Sequence, residues 1–370
     1  MRTNTLDERF AQLLAGHCVR VQPGDRILLQ AGTPAIPLLE ELAKEILRRG
    51  GIPLLQLWSE GYAEVVNEEA SLKQLEGSLA FVRTAYETFE GRIYVHSDLN
   101  TAYLEHLPAK MWSARSRASE PILKAQFSRG ALGAFKWVTT IYPTPGYAQE
   151  AGMGTKEFAR LIYRACHLDV PEEDPVEYWT SLQARNNDLA AILSERSQVE
   201  LRGPDCDISF SIEGRVFEGD SGENNMPGGE VFTAPVEGSV KGWIKFSYPV
   251  TAGGARLAGV SLTFDEGKVV TAKADRGQDA LRALVASDAG ASYLGEFGIG
   301  TNRDIEKPVG RGLLDEKIAG TIHLALGRAY PEVGGKNESG IHVDFIKDMS
   351  QQAEILFDGE MLYRDGEFLI

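Results

Sequence analysis

His342 and Asp344 stand two residues apart in the segment GIHVDFIKD. On a β-strand, residues two apart share a face, so this imidazole and carboxylate would lie side by side. Such a pair can chelate Zn²⁺, Co²⁺, Mn²⁺ or Fe²⁺. His323, in GTIHLALGRAY, adds a third ligand of suitable type. Two glutamates stand in a context that points them inward. Glu230, in NNMPGGEVFTAPVEGSVKG, lies where a glycine-rich turn meets an apolar strand. Glu296, in YLGEFGIGTN, is a lone charge among Leu294, Gly295, Phe297 and Gly298. Burying such a charge is costly unless it is paired or bound to a metal. The same residues would also serve as satisfied polar groups at a sheet edge.

The other four histidines do not extend this set. His17, His96, His106 and His167 all fall in the first half of the chain and read as structural or surface residues. His17 adjoins Cys18 and His167 adjoins Cys166. Sequence neighbours on a helix or strand point in different directions, so neither is a Cys–His ligand pair. Other catalytic signatures are missing. Neither GDSGENNMPGG nor GEFGIGTN contains the Gly-Lys-Ser/Thr element of a phosphate-binding loop, and GEFGIG does not fit G-x-G-x-x-G. The sequence has no G-x-S-x-G nucleophile elbow and no H-E-x-x-H zinc helix.

The elements that must carry these residues change character along the chain. Pro23-Gly24-Asp25 is a turn signal leading into the apolar strand Ile27-Leu28-Leu29. Leu38, Leu39, Leu42, Ile46 and Leu47 then recur at helical spacing with charges between them. Arg48 and Arg49 suit the negative end of that helix, and Gly50-Gly51 ends it. Residues 53–58 read as the next strand. A strand–helix–strand unit predicts parallel strands with helices on the faces. Residues 157–198 are mainly helical, with Pro175 starting or separating helices. After Arg202-Gly203-Pro204 the texture changes, and Asp207 to Ile212 alternates polar and apolar as half-buried strands do. The expected architecture is an α/β N-terminal domain with a parallel sheet, residues 1–195, followed by an α+β domain, residues 196–370. The second is rich in antiparallel strands and carries the metal site.

The bulk composition narrows the function classes. A chain of 370 residues suits two or three domains and buries a sizeable core unaided. With 53 acidic against 38 basic residues, the net charge is −15, which disfavours nucleic acid and anionic membrane surfaces as partners. Three widely spaced cysteines, Cys18, Cys166 and Cys206, indicate neither a disulfide framework nor a zinc knuckle. Reduced thiols in a cytoplasmic protein are the simple reading. The opening MRTNTLDERFAQLL has no apolar h-region and does not read as a signal peptide. No run approaches the roughly 18 consecutive apolar residues of a membrane span.

Several of the strings quoted above belong together. MPGGEVFTAPVEGSVKG, LGEFGIGTNRDI, GTIHLALGRAYPEVGGKNESGIHVDF and YPTPGYAQEAGM resemble the M29 family of metallo-aminopeptidases, of the aminopeptidase T and aminopeptidase S type. The likeness extends over nearly the full chain. It implies two divalent metal ions (Zn, Co, Mn or Mg) held by Glu230, Glu296, His323, His342 and Asp344. It also implies an active-site tyrosine at Tyr330, in GRAYP, and a homodimer that encloses a cavity for short peptides. The link from Tyr330 to His342 is shorter than in some relatives.

The chemistry implied is hydrolysis of the N-terminal peptide bond. Two divalent ions about 3.5–4 Å apart can share a bridging water or hydroxide. At least one carboxylate must span them, and either Glu296 or Asp344 could do so. Tyr330 could donate a hydrogen bond to the developing oxyanion, although a packed core tyrosine is the plainer reading of the residue alone. Glu237, seven residues past Glu230, is a candidate base that reads more simply as structural. A rival chemistry uses fewer of these groups. His323, His342 and Asp344 alone form the 2-His-1-carboxylate set of a mononuclear Fe(II) ring-cleaving dioxygenase, of the type that acts on dihydroxypyridines. Glu230 and Glu296 favour the hydrolase, because a mononuclear oxygenase has no need of them.

Overall fold

The computed structural model describes residues 5–104, 107–252 and 255–370. His106 therefore lies outside the described residues. The chain divides into two compact units. One runs up to Thr180 and takes in Gly222–Pro227; the other comprises Ser181–Ser221 and Gly228–Ile370. The division falls inside the helix Pro175–Ser194.

The first unit is α/β, as expected. Strands Arg26–Gly32 and Ile52–Trp58 pair in parallel, with Ile27 opposite Pro53. Helix Ile36–Arg48 connects them and buries Leu38, Leu39, Leu42 and Ile46, the stripe read from the sequence. Gly50 ends this connection at φ +81°, in the left-handed region that favours glycine. Gly91–His96 and Lys136–Ile141 extend the parallel sheet. Its fifth strand, Asn225–Met226, comes from much later in the chain. The hydroxyl of Thr140 donates to the Met226 carbonyl at 2.7 Å and ties this late strand in place.

The second unit is α+β and rich in antiparallel strands. Eight strands form one sheet, in the order 268–273, 261–265, 241–245, 206–211, 198–203, 354–357, 360–364, 367–368. A second sheet has five strands, in the order His342–Asp348, Thr321–Gly327, Leu294–Gly300, Glu230–Thr233, Glu218–Asp220. Each neighbouring pair in it is antiparallel. The apolar faces of the two sheets share one core. Phe297 of the smaller sheet meets the ring of Phe210 in the larger one edge-on, with centroids 5.2 Å apart. Such aromatic contacts add about 0.5–1.5 kcal/mol each beyond area burial. Among the described residues, no helix is long and apolar enough to cross a membrane.

Candidate metal centre

The five-stranded sheet carries all five candidate ligands on four adjacent strands. Cross-strand register decides where they point. Glu296 pairs with Ala325, and Ala325 pairs with Asp344. His323 pairs with Gly298, His342 with Gly327, and Glu230 with Gly300. Partners across an antiparallel ladder share a face, so all five side chains leave the same side of the sheet. The positions between them on that side are small: Gly298, Gly300, Ala325 and Gly327. The intervening residues Phe297, Ile299, Leu324 and Phe345 go to the hydrophobic core on the other side. Gly298 is needed as glycine, because a Cβ there would lie 2.1 Å from Cε1 of His323.

This register brings the ligand atoms into two groups. Glu230, Glu296 and His323 form one, and Glu296, His342 and Asp344 form the other. Within each group the ligand atoms lie within 4.8 Å of one another. Nε2 of His323 is 3.2 Å from Oε2 of Glu230 and 3.4 Å from Oε1 of Glu296. Nε2 of His342 is 3.1 Å from Oε2 of Glu296 and 3.6 Å from Oδ1 of Asp344. Glu296 thus turns one oxygen to each group.

The donor set fits divalent metal ions. It consists of imidazole nitrogens and carboxylate oxygens, the usual ligands of Zn²⁺, Co²⁺ and Mn²⁺. Oε2 of Glu230 and Oδ1 of Asp344 are buried and accept no hydrogen bond, which is costly for carboxylate oxygens that no cation meets. Nδ1 of His342 donates to the Arg328 carbonyl at 2.8 Å, so that in the neutral ring Nε2, which faces the carboxylates, carries the lone pair. Nδ1 of His323 is buried without a hydrogen bond, so packing over Gly298 holds that ring.

Three further charged residues complete the site, and sequence reasoning missed them. Lys317 is 1% exposed, and its ammonium contacts Glu230 Oε1. It also lies 3.1 Å from Asp220 and 3.1 Å from Glu316. No spacing in GLLDEKIAG marks this lysine as buried; Glu316 is its neighbour in sequence, but Asp220 and Glu230 come together only through the sheet.

The electrostatics follow from burial set against these contacts. Burial pulls the His323 pKa down, but Glu296 and Glu230 outweigh it and raise the group to about 9. His342 is raised in the same way by Asp344 and Glu296, against the effect of burial. Burial pushes Glu230 up to about 7, opposed by Lys317 and His323. Burial pushes Glu316 up to about 8, opposed by Lys317. Asp344 goes the other way, held below the usual carboxylate range by His342 despite its burial. The same contacts hold protons on both imidazoles.

Tyr330 follows the His323 strand. Its ring centroid is 5.2 Å from that of His342 and 5.8 Å from that of Phe232. Glu237 is occupied elsewhere: it pairs with Arg215 at 2.8 Å and accepts from the Lys336 backbone N–H at 2.9 Å. In the first unit, His167 pairs with Glu173 and stacks on Tyr178.

Comparison with known proteins gives this geometry a family. The model of the thermophilic metalloproteases, M29, matches residues 3–368. Aminopeptidase PepS of Streptococcus thermophilus is 26% identical, with 98% of each chain covered. Aminopeptidase T of Thermus thermophilus is 27% identical, over 97% of this chain and 95% of that protein. Aminopeptidase AmpS of Bacillus subtilis is 27% identical, over 97% of each. The structure of wild-type AmpT from Thermus thermophilus has the same fold, with a TM-score of 0.84 at 24% identity and 99% of both chains covered. A family match over almost the whole chain, on a fold that gathers histidines and carboxylates as a metalloenzyme must, shows that this chain belongs to the M29 metalloproteases and is a metallopeptidase.

Proposed function

We propose that the protein is a two-metal aminopeptidase that removes N-terminal residues from short peptides. The observation that carries this reading is Glu296, whose two oxygens serve two different ligand groups. Charge supports the same count. Asp220, Glu230 and Glu316 surround the ammonium of Lys317, and Glu296 and Asp344 lie against the two histidines; all five carboxylates are buried or half-buried. In the protonation state that metal ligation requires, with all five carboxylates ionised and the histidines neutral, four negative charges would be in excess of the lysine. Two divalent cations balance them, and one does not.

In this reading Glu296 spans both positions. Glu230 and His323 complete one, and His342 and Asp344 the other. Zn, Co, Mn or Mg are the candidate ions. When bound, they supply Lewis acidity and a nucleophile at neutral pH. The chain's own groups do the rest. The Arg328 carbonyl fixes the tautomer and orientation of His342. Tyr330 is 38% exposed, yet desolvation of its hydroxyl and the nearby carboxylates raise its pKa against the pull of His342, so the hydroxyl keeps its proton. It can therefore donate a hydrogen bond to the oxyanion of the scissile carbonyl. The carboxylate-rich face suits a substrate that presents a free amine, and the similar proteins carry the name aminopeptidase. A homodimer and a cytoplasmic location complete the proposal; the three buried cysteine thiols suit a reducing compartment.

The ring-cleaving dioxygenase reading needs His323, His342 and Asp344 on one iron. Here His342 and Asp344 group with Glu296, apart from the group that holds His323. The test uses one peptide in two forms, with its N-terminus free and acetylated. Stepwise release of N-terminal residues from the free form alone is expected. Equal cleavage of both forms would overturn the aminopeptidase reading.

A further inference from the structure

Lys317 has a position that the hydrolytic chemistry does not require. Its ammonium has three N–H groups, and three carboxylate oxygens surround it: Oε1 of Glu230, Oδ2 of Asp220 and Oε1 of Glu316. The placement is built in by the backbone. Asn302 donates its N–H to the Lys317 carbonyl at 2.9 Å and its side-chain amide to the Gly228 carbonyl at 3.0 Å. The lysine segment is thereby tied to the turn that delivers Glu230. On the other side, the Asn186 amide donates to the Asp220 carbonyl at 3.2 Å, which steadies the strand that pairs with Glu230.

The consequence falls on one of the two ligand groups. Oε1 of Glu230 faces the ammonium, so only Oε2 remains beside His323. The second group has no such ion pair: among the described residues Glu296 and Asp344 pair with no lysine or arginine, and Lys317 reaches Asp344 only as a more distant charge. A fixed positive charge in contact with a ligand of one cation position and farther from the other makes the two unequal.

We infer that Lys317 is an internal counter-cation that confines Glu230 to one-oxygen ligation and makes the Glu230–Glu296–His323 position the weaker of the two metal sites. This rests on the two-metal reading above. The ammonium keeps the carboxylate cluster folded when the metal is away, and it lowers the affinity of the adjacent position. Lys317 is a positioning residue, acting through Glu230.

The test is a titration of metal-free protein with Co²⁺, followed by calorimetry and by visible absorption. Wild type is expected to bind two equivalents in two steps separated by at least about tenfold in affinity, the scale of a charge a few ångströms away. Glu230→Gln should abolish the weaker step alone, and His342→Ala the tighter one. Lys317→Met removes the charge and returns Oε1 to Glu230, so the weaker step should tighten at least about tenfold. Lys317→Arg should restore the separation. A lysine with a purely structural role gives the opposite sign, because its loss would loosen the site. Should Lys317→Met fail to fold, the charge-balanced Asp220→Asn/Lys317→Met variant keeps Glu230 released and should also tighten the weaker step. Two equivalents in wild type with an unchanged or weakened step in the lysine variants would overturn the role of Lys317 alone. Fewer than two equivalents in wild type would overturn the two-metal reading and this inference with it.

Discussion

Glu296 places Oε2 3.1 Å from Nε2 of His342 while its other oxygen faces His323 at 3.4 Å. One carboxylate therefore belongs to both halves of the centre. Glu296→Ala should remove both ions and lower turnover at least about a thousandfold, as happens when a unit loses the member the others depend on. The fold should persist, since the opposite face of that strand keeps Phe297 and Ile299 in the core. Metal analysis and circular dichroism on the same preparation check this, and an active variant would contradict it.

Gly298 makes a prediction of a different kind. A methyl group there meets the His323 ring at 2.1 Å, and backbone in mid-sheet cannot withdraw. Gly298→Ala should displace the imidazole and cost about a hundredfold in kcat, the scale of a 1 Å misplacement. The ion beside Glu230 should be lost first. Co²⁺ stoichiometry falling from two to one would be the signature.

Tyr330→Phe removes one hydroxyl and leaves the ring between His342 and Phe232. A donor used only in the transition state affects kcat and spares KM. A fall of about 10²–10³ in kcat is expected, with metal content unchanged. Steady-state kinetics on a short peptide decides it; an equal rise in KM at constant kcat would assign the tyrosine to substrate binding.

The histidines set a pH dependence. In the metal-free fold His323 is raised to about 9 from an ordinary value of 6.5, so the folded chain binds this proton more tightly than the unfolded chain. The resulting stability is fully present below pH 6.5 and is lost as pH rises through about 9. Metal ions need the neutral imidazole and so compete with that proton, and their affinity should rise over the same window. Melting temperature in chelator should fall across it, and in excess Co²⁺ it should not. A metal-free protein whose Tm is flat across this window would contradict the proton-filled site.

The legible part of the site was its ligand types. His342 and Asp344 announce themselves by spacing, and Glu230 and Glu296 by being lone charges in glycine-rich apolar strings. The strand–helix–strand pattern of residues 27–58 was equally plain, because helical periodicity and turn residues are local signals. What the string could not show is pairing between distant segments. Lys317 meets Glu230 and Asp220 only because sheet register pairs those two strands and the Asn302 ties bring in the lysine segment, with Glu316 beside it. The return of Asn225–Met226 to the parallel sheet is invisible for the same reason. So is the reason residue 298 must be glycine, which lies in the strand opposite.

The most direct measurement is anomalous scattering from crystals of protein loaded with Co²⁺ or Zn²⁺. The two-metal reading requires two peaks about 3.5–4 Å apart. One should be bounded by Glu230 and His323, the other by His342 and Asp344, with Glu296 touching both. A single peak held by His323, His342 and Asp344, with both glutamates turned away, would contradict it.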